Sequence, residues 1–314
     1  MKKKILVMGS ANVDFILKIP RFHKPGETII GESFVTAFGG KGANQAMAAK
    51  RLGGRTGLLA KVGADPYGRS YYRYLTQNGF ERKFLLVDEK IPTGIALIEV
   101  SSDGENRIIV SPGANGTLGP KDLEKFFPAF QEAGVFVAQL EIPIGSVLKG
   151  LKMAKKAGAA TLLNPAPAHP IAQDLLPFVD YLTPNETEAE ILTGVKIKKE
   201  KDIAAAAAKL LDRGVKNVVI TLGGRGAFFK SRETEIWAEP FRVQPVDTTA
   251  AGDAFVGAFA CGLAEERQIP EILEFANAAG ALATTKLGAQ PSLPTLKEVE
   301  RFLREKKGGK AKGS

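Results

Sequence analysis

The sequence contains very little cysteine and histidine. Among its 314 residues there are one cysteine, Cys261, and two histidines, His23 and His169. A single thiol cannot form an intramolecular disulfide, and these three residues are too few for an ordinary structural zinc site. We therefore expect a protein of the reducing cytoplasm in which Cys261 is a buried structural thiol.

Long apolar segments are also missing. The apolar run at residues 5–8, which follows three lysines, is far shorter than the h-region of a secretory signal peptide. Nowhere does the sequence approach the roughly 20 apolar residues that span a bilayer. The pattern predicts a first buried strand at residues 5–8 and no membrane partner.

Acidic residues are fewer than basic ones: the sequence has 34 Asp and Glu and 43 Lys and Arg, which gives a net charge of +9. The positive residues are spread along the chain, and the one local run lies at residues 305–314, where we expect a disordered basic tail. No recognised nucleic-acid-binding module accompanies the charge. We expect no nucleic-acid partner, because binding of anionic small molecules explains the charge equally well.

Short apolar runs alternate with segments of helical periodicity. This alternation predicts an α/β fold, a doubly wound and mostly parallel sheet flanked by helices, as a single domain over residues 1–304. The strand candidates are residues 5–8, 56–62, 135–139, 160–164, 181–184 and 217–221. The helix candidates are residues 41–52, 67–78, 143–157, 186–193, 202–213, 252–264 and 270–286.

Two segments, at residues 13–38 and 93–111, do not fit this succession of strands and helices. Within them apolar and polar residues alternate, which is typical of strands exposed on one face. We expect them to form a small β lid that excludes water from the site. The outer face of the lid could equally be an interface, which predicts a homodimer.

Residues 247–255 carry the most informative pattern. Two alanines and Gly252 precede Asp253 where an apolar helix begins, and such a turn can direct backbone N–H groups at an anion. Asp253 in the same turn could take a proton from an attacking hydroxyl. The alternative is that Asp253 is an ordinary helix cap.

Polar residues beside glycines could bind a polyol. Lys41 and Asn44 follow a glycine-rich turn that lacks the spacing of a P-loop, so the segment could also be a plain turn. Asn12 and Asp14 follow the first strand, where a carboxylate and an amide can hold vicinal hydroxyls. The alternative there is a turn formed by Asn and Asp.

Two further segments could contact a nucleotide. Asn185 and Glu188 lie three residues apart at a predicted helix start, where they could orient a hydrated Mg²⁺ or form a capping box, or do both. The glycines of residues 221–226 follow an apolar strand. They could leave room for phosphates or ribose, or could form a tight β-turn.

Taken in order, these segments resemble the ribokinase-like (phosphofructokinase B-type) sugar kinase family. The resemblance extends from residues 9–14 to residues 288–292. Residues 39–44 are similar to the amino-terminal signature of the family, and residues 247–253 to its carboxy-terminal signature. Residues 164–168 and 183–190 are closer to the ribokinase branch than to the broader family.

The resemblance implies transfer of a phosphoryl group from ATP to the 5-hydroxyl of D-ribose. It implies that Asp253 is the general base and that the backbone N–H groups of Ala250, Ala251 and Gly252 form an anion hole. The residues implied in ribose binding are Asn12, Asp14, Gly40, Lys41, Gly42, Asn44, Glu141 and Asp253.

The resemblance also implies an ATP site and two cations. The ATP-site residues would be Asn185, Thr221, Gly223, Gly224, Gly226, Gly252 and Asn277, with Glu188 near Mg²⁺. An activating K⁺ would be bound by Asp247, Thr249, Ala283, Lys286, Gly288 and Ser292, several through backbone carbonyls. Lys286 could act only by its carbonyl, because an ammonium group repels a cation.

The sequence departs from the family at two positions. Thr249 replaces a β-branched aliphatic residue, and Asn277 stands where many ribokinases have a histidine near the adenine. Other hypotheses are a kinase of the same family acting on deoxyribose, a hexose or a nucleoside, and a non-catalytic sensor, against which the intact Asp253 argues. A dinucleotide oxidoreductase is disfavoured because no GxGxxG follows the first strand.

Overall fold

The computed structural model describes residues 2–169 and 174–310. Its strands are β1 Lys4–Met8, β2 Asn12–Ile19, β3 Ser33–Gly39, β4 Arg55–Gly63, β5 Leu85–Asp88, β6 Gly94–Ser101, β7 Asn106–Ser111, β8 Ala133–Ala138, β9 Ala160–Leu163, β10 Tyr181–Leu182, β11 Asn217–Thr221, β12 Ala227–Lys230 and β13 Glu235–Ala238. Its α-helices are α1 Lys41–Arg51, α2 Pro66–Gln77, α3 Pro120–Glu124, α4 Phe127–Glu132, α5 Ile144–Lys156, α6 Glu186–Thr193, α7 Glu200–Asp212, α8 Ala251–Ala264, α9 Ile269–Ala283 and α10 Leu296–Lys310.

A nine-stranded sheet forms the centre of the molecule, in the order β13-β12-β11-β10-β9-β8-β1-β4-β5. The seven strands from β11 to β5 in that order run parallel, whereas β12 pairs antiparallel with β11 and β13 pairs antiparallel with β12. Strand β1 shows why both faces must be covered: Ile5 and Val7 pack into one apolar cluster, and Leu6 and Met8 pack into another. The predicted doubly wound α/β fold is therefore confirmed.

The helices divide between the two faces of this sheet. Helices α1, α2, α8, α9 and α10 contribute to the first cluster, and α3 to α7 contribute to the second. Among the described residues, no helix is long and apolar enough to cross a membrane.

A second sheet of four strands has the order β3-β2-β6-β7. It is built from the two segments that depart from the α/β alternation. Strand β2 pairs antiparallel with β3 and parallel with β6, and β7 closes a hairpin on β6. Because β2 begins at Asn12 and β3 ends at Gly39, this sheet starts directly beside the predicted sugar-binding residues.

The carboxyl-terminal tail differs from the expectation. Residues 305–310, which the basic composition predicted to be disordered, belong to α10, while residues 311–314 lie outside the described part of the chain. Lys306 donates a hydrogen bond to the carbonyl of Arg242, and its ammonium group lies over the Phe302 ring. Basic residues are also favourable at a helix carboxyl terminus, so a run of lysines need not end the helix.

Candidate active site

Close backbone contact at the start of α1 requires glycine. Gly40, which precedes the helix, has φ +88°, and a Cβ there would lie 2.7 Å from the backbone N of Asn12. A Cβ on Gly42 would lie 2.5 Å from the carbonyl carbon of Gly9. Such approaches exclude any side chain, so the glycines bring the start of α1 against the turn between β1 and β2.

Asp14 lies buried in this corner. A Cβ on Gly39 would lie 2.0 Å from Asp14 Oδ2, so the carboxylate fills the space that the glycine leaves. Burial raises the pKa of Asp14 to about 7, and the nearby charges of Glu141 and Asp253 add to the rise, which Lys41 opposes.

Lys41 lies among carboxylates. Burial alone would lower the pKa of its ammonium group, but surrounding negative charges outweigh burial and raise the pKa. Those charges belong to Asp253, Glu141, Glu188 and Asp14. The structure thus brings together acidic residues that are up to 239 positions apart, from Asp14 to Asp253.

Asn115, which the sequence did not single out, fixes the orientation of Asn12. Its side-chain Nδ2 donates to Asn12 Oδ1 at 2.6 Å, and its Oδ1 accepts the N–H of Ala11 at 2.9 Å. Because Oδ1 of Asn12 is engaged, the side-chain NH₂ of Asn12 is the end that remains to donate to a ligand. This role of Asn115 becomes visible only in the structure, because Asn115 and Asn12 are 103 positions apart in the sequence.

Glu141 contacts the start of α1. Its Oε2 accepts the hydroxyl of Ser10 at 2.5 Å and the backbone N–H of Lys41 at 3.1 Å. A carboxylate at this position interacts favourably with the helix dipole. Glu141 therefore adjoins the predicted sugar-binding residues and also stabilises the turn that carries them.

Asp253 is buried at the start of α8. Ala250, which precedes the helix, has φ +60°, the left-handed conformation that costs a non-glycine residue roughly 1–2 kcal/mol. Asn44 Nδ2 donates to Asp253 Oδ2 at 2.9 Å, and Gln45 Nε2 donates to Asp253 Oδ1 at 2.9 Å. Two adjacent amides of α1 therefore hold the carboxylate.

Asn44 has a further property that suits a ligand. Its Oδ1 is buried and has no hydrogen-bond partner. Leaving a buried acceptor unsatisfied costs about 1–3 kcal/mol. A hydroxyl group of a bound polyol would remove that cost.

The first turn of α8 is only partly free to bind an anion. The N–H of Ala251 donates to the carbonyl of Thr248 at 3.2 Å, so it is engaged within the turn. Gly252 is exposed, and no atom lies within 4 Å of the position that its Cβ would take. The first N–H groups of an α-helix have no partner within the helix. Gly252 is accordingly the most accessible of the three predicted anion-hole residues.

Two segments predicted to contact ATP lie side by side. Asn185 and Thr221 form an isolated parallel bridge, and the N–H of Thr221 donates to the carbonyl of Pro184 at 3.0 Å. Asn185 and Glu188 form a capping box at the start of α6, with N···O distances of 2.8 and 2.9 Å. The capping alternative is thus present in the structure, and it still leaves both residues at the edge of the site.

The glycines after β11 differ in their surroundings. Gly223 and Gly224 are exposed, and a Cβ on either would meet nothing within 4 Å. Gly226 is buried with φ +89°, and its Cβ would lie 2.1 Å from the carbonyl oxygen of Ala238. Gly226 therefore serves the β11–β12 turn, whereas Gly223 and Gly224 leave open space.

Asn277 of α9 is buried next to the end of β13. Its Nδ2 donates to the carbonyls of Ala238 at 3.3 Å and Glu239 at 3.0 Å. The side chain thus ties α9 to the end of β13. Its NH₂ group is engaged with the backbone, which leaves its Oδ1 as the end available to a base.

The residues predicted to bind K⁺ come from two loops that Asp247 joins. Its Oδ1 accepts the N–H of Thr249 and its Oδ2 the N–H of Gly288, each at 2.8 Å. Burial alone would raise the pKa of Asp247, but the hydrogen bonds from Thr249 and Gly288 outweigh it and lower the pKa. The Lys286 ammonium group is paired with Glu298 at 2.7 Å, which leaves only its backbone for a cation.

The other two residues of this set suit carbonyl ligation. Ala283 is the last residue of α9, where carbonyl groups lack partners within the helix, and Ser292 donates its hydroxyl to the carbonyl of Ala289 at 2.8 Å. In the described part of the chain no group of three or more His, Cys, Asp or Glu could hold a metal ion. The carbonyl oxygens of the predicted set are the kind of ligand that a monovalent cation would take.

Comparison with known proteins gives consistent matches over nearly the whole chain. The model of the pfkB family carbohydrate kinases matches residues 2–296. The chain is 40% identical to a ribokinase of Haemophilus influenzae over 303 residues, which covers 96% of this chain and 99% of the relative. It is also 36% identical to a deoxyribokinase of Salmonella typhi over 303 residues, covering 95% of this chain and 98% of that protein.

A solved structure of Arabidopsis thaliana ribokinase, complexed with ribose and ATP, has a similar fold. It superposes with a TM-score of 0.88 at 36% identity, covering 96% of this chain and 99% of the plant chain. The family match over residues 2–296 spans both sheets and every segment of the candidate site.

Proposed function

The chain belongs to the pfkB family of carbohydrate kinases, and from this membership we propose that it transfers the γ-phosphoryl group of ATP to the 5-hydroxyl of D-ribose, which gives D-ribose 5-phosphate. The observation that carries the proposal is the position of Asp253. Its carboxylate is buried at a helix N-terminus and held by two amides beside the sugar-binding corner.

In the proposed reaction Asp253 accepts the proton of the 5-hydroxyl as the oxygen attacks phosphorus. The N–H groups of the exposed Gly252 and its neighbours at the start of α8 stabilise the charge on the transferred group. The engaged N–H of Ala251 must leave Thr248 to take part, so we assign the larger share to Gly252. Lys41 offsets the negative charge of the surrounding carboxylates.

The sugar would lie between β2 and α1. Asn12 donates through its free NH₂, Asp14 accepts from hydroxyl groups, and the unpartnered Oδ1 of Asn44 accepts a further hydroxyl. Backbone atoms of Gly40 and Gly42 allow close approach of the ligand. The four-stranded sheet would cover the bound sugar and exclude water, which suppresses hydrolysis of ATP.

ATP would lie along the ends of β10 and β11. Asn185, Thr221, Gly223, Gly224 and Asn277 line this edge, and Gly226 shapes its turn. Glu188 would orient hydrated Mg²⁺, which neutralises phosphate charge. K⁺ between the loops that Asp247 joins would hold the turn before Asp253, with Thr249, Ala283, Lys286, Gly288 and Ser292 as further ligands.

A 2-deoxyribose kinase is the second candidate, because a deoxyribokinase is 36% identical to this chain. The test is ADP release with ATP, Mg²⁺ and a panel of sugars, with and without K⁺. A site that hydrogen-bonds the 2-hydroxyl should favour ribose over 2-deoxyribose by at least about 10²-fold in kcat/KM. Equal values would contradict ribose specificity, and the absence of ADP release with every sugar would contradict the kinase assignment.

A further inference from the structure

Gln45 is completely buried and contacts the carboxylate of Asp253. We propose that Gln45, held in turn by Gln139, is a positioning residue that fixes the Asp253 carboxylate for proton abstraction. This inference rests on the proposed kinase function, and it concerns two side chains to which the family resemblance gave no role.

The hydrogen bonds of Gln45 determine how its amide is oriented. Its Oε1 accepts from Gln139 Nε2 at 2.6 Å. Its Nε2 donates to Asp253 Oδ1 at 2.9 Å and to Asn164 Oδ1 at 3.0 Å, which uses both hydrogens of the amide. Every donor and acceptor of the Gln45 amide is thus engaged. A half-turn of this amide would place its NH₂ against the NH₂ of Gln139 and its oxygen against the oxygens of Asp253 and Asn164.

This orientation fixes the catalytic oxygens as well. Gln45 holds Oδ1 of Asp253 and Asn44 holds Oδ2, so the carboxylate cannot rotate without losing a hydrogen bond. Each carboxylate oxygen retains a second lone pair that can accept the sugar proton.

Stability alone does not account for the two glutamines. Oε1 of Gln139 is buried without a partner, which costs about 1–3 kcal/mol. A Cβ on Gly9 would lie 1.9 Å from this oxygen, so the glycine makes room for the amide. Apolar side chains at both positions would avoid the cost, but they would leave Asp253 Oδ1 without its donor.

The test compares Gln45→Leu and Gln139→Leu with the wild-type protein in one assay with ribose, ATP, Mg²⁺ and K⁺. For Gln45→Leu we expect kcat to fall on the order of 10- to 100-fold, because small misplacement of a catalytic group has effects of this size. The KM for ATP should stay unchanged. Gln139→Leu should lower kcat in the same way but less, again without a change in the KM for ATP, and it decides the test if Gln45→Leu does not fold.

Thr161→Val is the matched control. Thr161 is buried at the amino-terminal edge of the sheet, and its hydroxyl donates to the carbonyl of Phe178 at 2.6 Å. This variant should lose stability but keep kcat. If the wild-type protein is active and the Gln variants lose no more kcat than Thr161→Val, or raise the KM for ATP as much as they lower kcat, the positioning role is refuted while the kinase function stands. An inactive wild-type protein would instead refute the kinase function.

Discussion

The proposed role of Asp14 conflicts with its surroundings. We propose that its carboxylate accepts hydroxyl groups of a sugar, yet burial and neighbouring negative charges raise its pKa from 3.8 to about 7. The folded protein therefore binds this proton more tightly than the unfolded chain does. As pH rises from about 4 to about 7, the folded state loses that advantage, so Asp14 lowers the free energy of unfolding at pH 8 relative to acid pH.

We predict that Asp14→Asn raises the melting temperature at pH 8. The amide removes a buried charge that the folded state disfavours, while the gain should vanish near pH 4, where Asp14 is protonated in the folded state. Ribose binding should weaken strongly, because the acceptor pair is lost. Calorimetry at both pH values measures the effect, and a melting temperature that falls equally at both would contradict the account.

Asp88 supplies a control of opposite sign. The hydroxyl of Thr117 and the N–H groups of Ile91 and Lys90 lower the pKa of Asp88 to about 2. Its ionised form is therefore favoured by folding, and its contribution to stability is present above about pH 4 and lost as pH falls towards 2. Asp88→Asn should accordingly lower the melting temperature at pH 8.

The sequence revealed charged residues more readily than their neutral partners. Asp14, Asp253 and Lys41 attract attention because their chemistry suggests a role even in isolation. Gln45 and Asn115 gain their importance only from partners at Gln139, 94 positions away, and at Asn12, 103 positions away. A pairwise contact between distant residues has no signature in one sequence, so these positions could not be predicted.

At the scale of elements, the packing of α1 against α8 sets the position of Asp253, the proposed base. A Cβ on Gly257 would lie 2.6 Å from Ala48 Cβ and 2.9 Å from both Ala49 N and Gln45 O. Only glycine permits this approach, and the approach brings Asn44 and Gln45 within hydrogen-bond distance of Asp253.

We predict that Gly257→Ala lowers both stability and kcat. Overpacking of this kind typically costs about 1–3 kcal/mol, and separation of the helices would lengthen the hydrogen bonds to Asp253. Gly262→Ala on the same helix is the control, because its Cβ would meet Ile272 side-chain atoms at 2.6 Å instead of α1. Denaturant unfolding and steady-state kinetics should show both variants destabilised but only Gly257→Ala slowed; equal kcat in the two would refute the link.

Elements with clear periodicity were predictable and others were not. Helix α8 begins at Ala251, next to the predicted Gly252, because its apolar pattern is strong. The β12–β13 hairpin was missed, since its strands have four residues each and form antiparallel pairs at the sheet edge. Strand β3 begins only at Ser33, well inside the predicted segment 13–38, because alternation by itself does not specify where pairing begins.

At the scale of the whole molecule, the four-stranded sheet has an uncovered apolar face. All six residues of β7 are exposed, and Ile109 is 66% exposed opposite Leu97 of β6. Phe34 of β3 lies on the same face by strand register and is also more than half exposed. An exposed apolar patch of this kind marks an interaction surface, which favours the homodimer expected from the sequence.

We predict that Ile109→Lys dissociates this dimer, because a charge would be buried in the interface. Ile191→Lys is the control, since Ile191 is 53% exposed on α6, outside the four-stranded sheet. Sedimentation equilibrium should show a dimer for the wild-type protein and the control, and a monomer for Ile109→Lys. A monomeric wild-type protein would contradict the assignment.

The alternation of apolar strands and helices along the chain was sufficient to predict the fold class. Parallel strands place their carboxyl ends at one edge of the sheet, and Asn185 and Thr221 meet at this edge. The end of α10 was not predictable, since a lysine-rich sequence suits both a solvated tail and the last turn of a helix.

The most direct test is the kcat of Asp253→Asn with ribose and ATP. The substitution keeps the shape of the side chain but removes the group proposed to take the proton from the 5-hydroxyl. We predict that kcat falls by about 10²–10⁴-fold while the dissociation constant for ATP stays unchanged. A kcat within about threefold of the wild-type value would contradict the assignment of Asp253 as the general base.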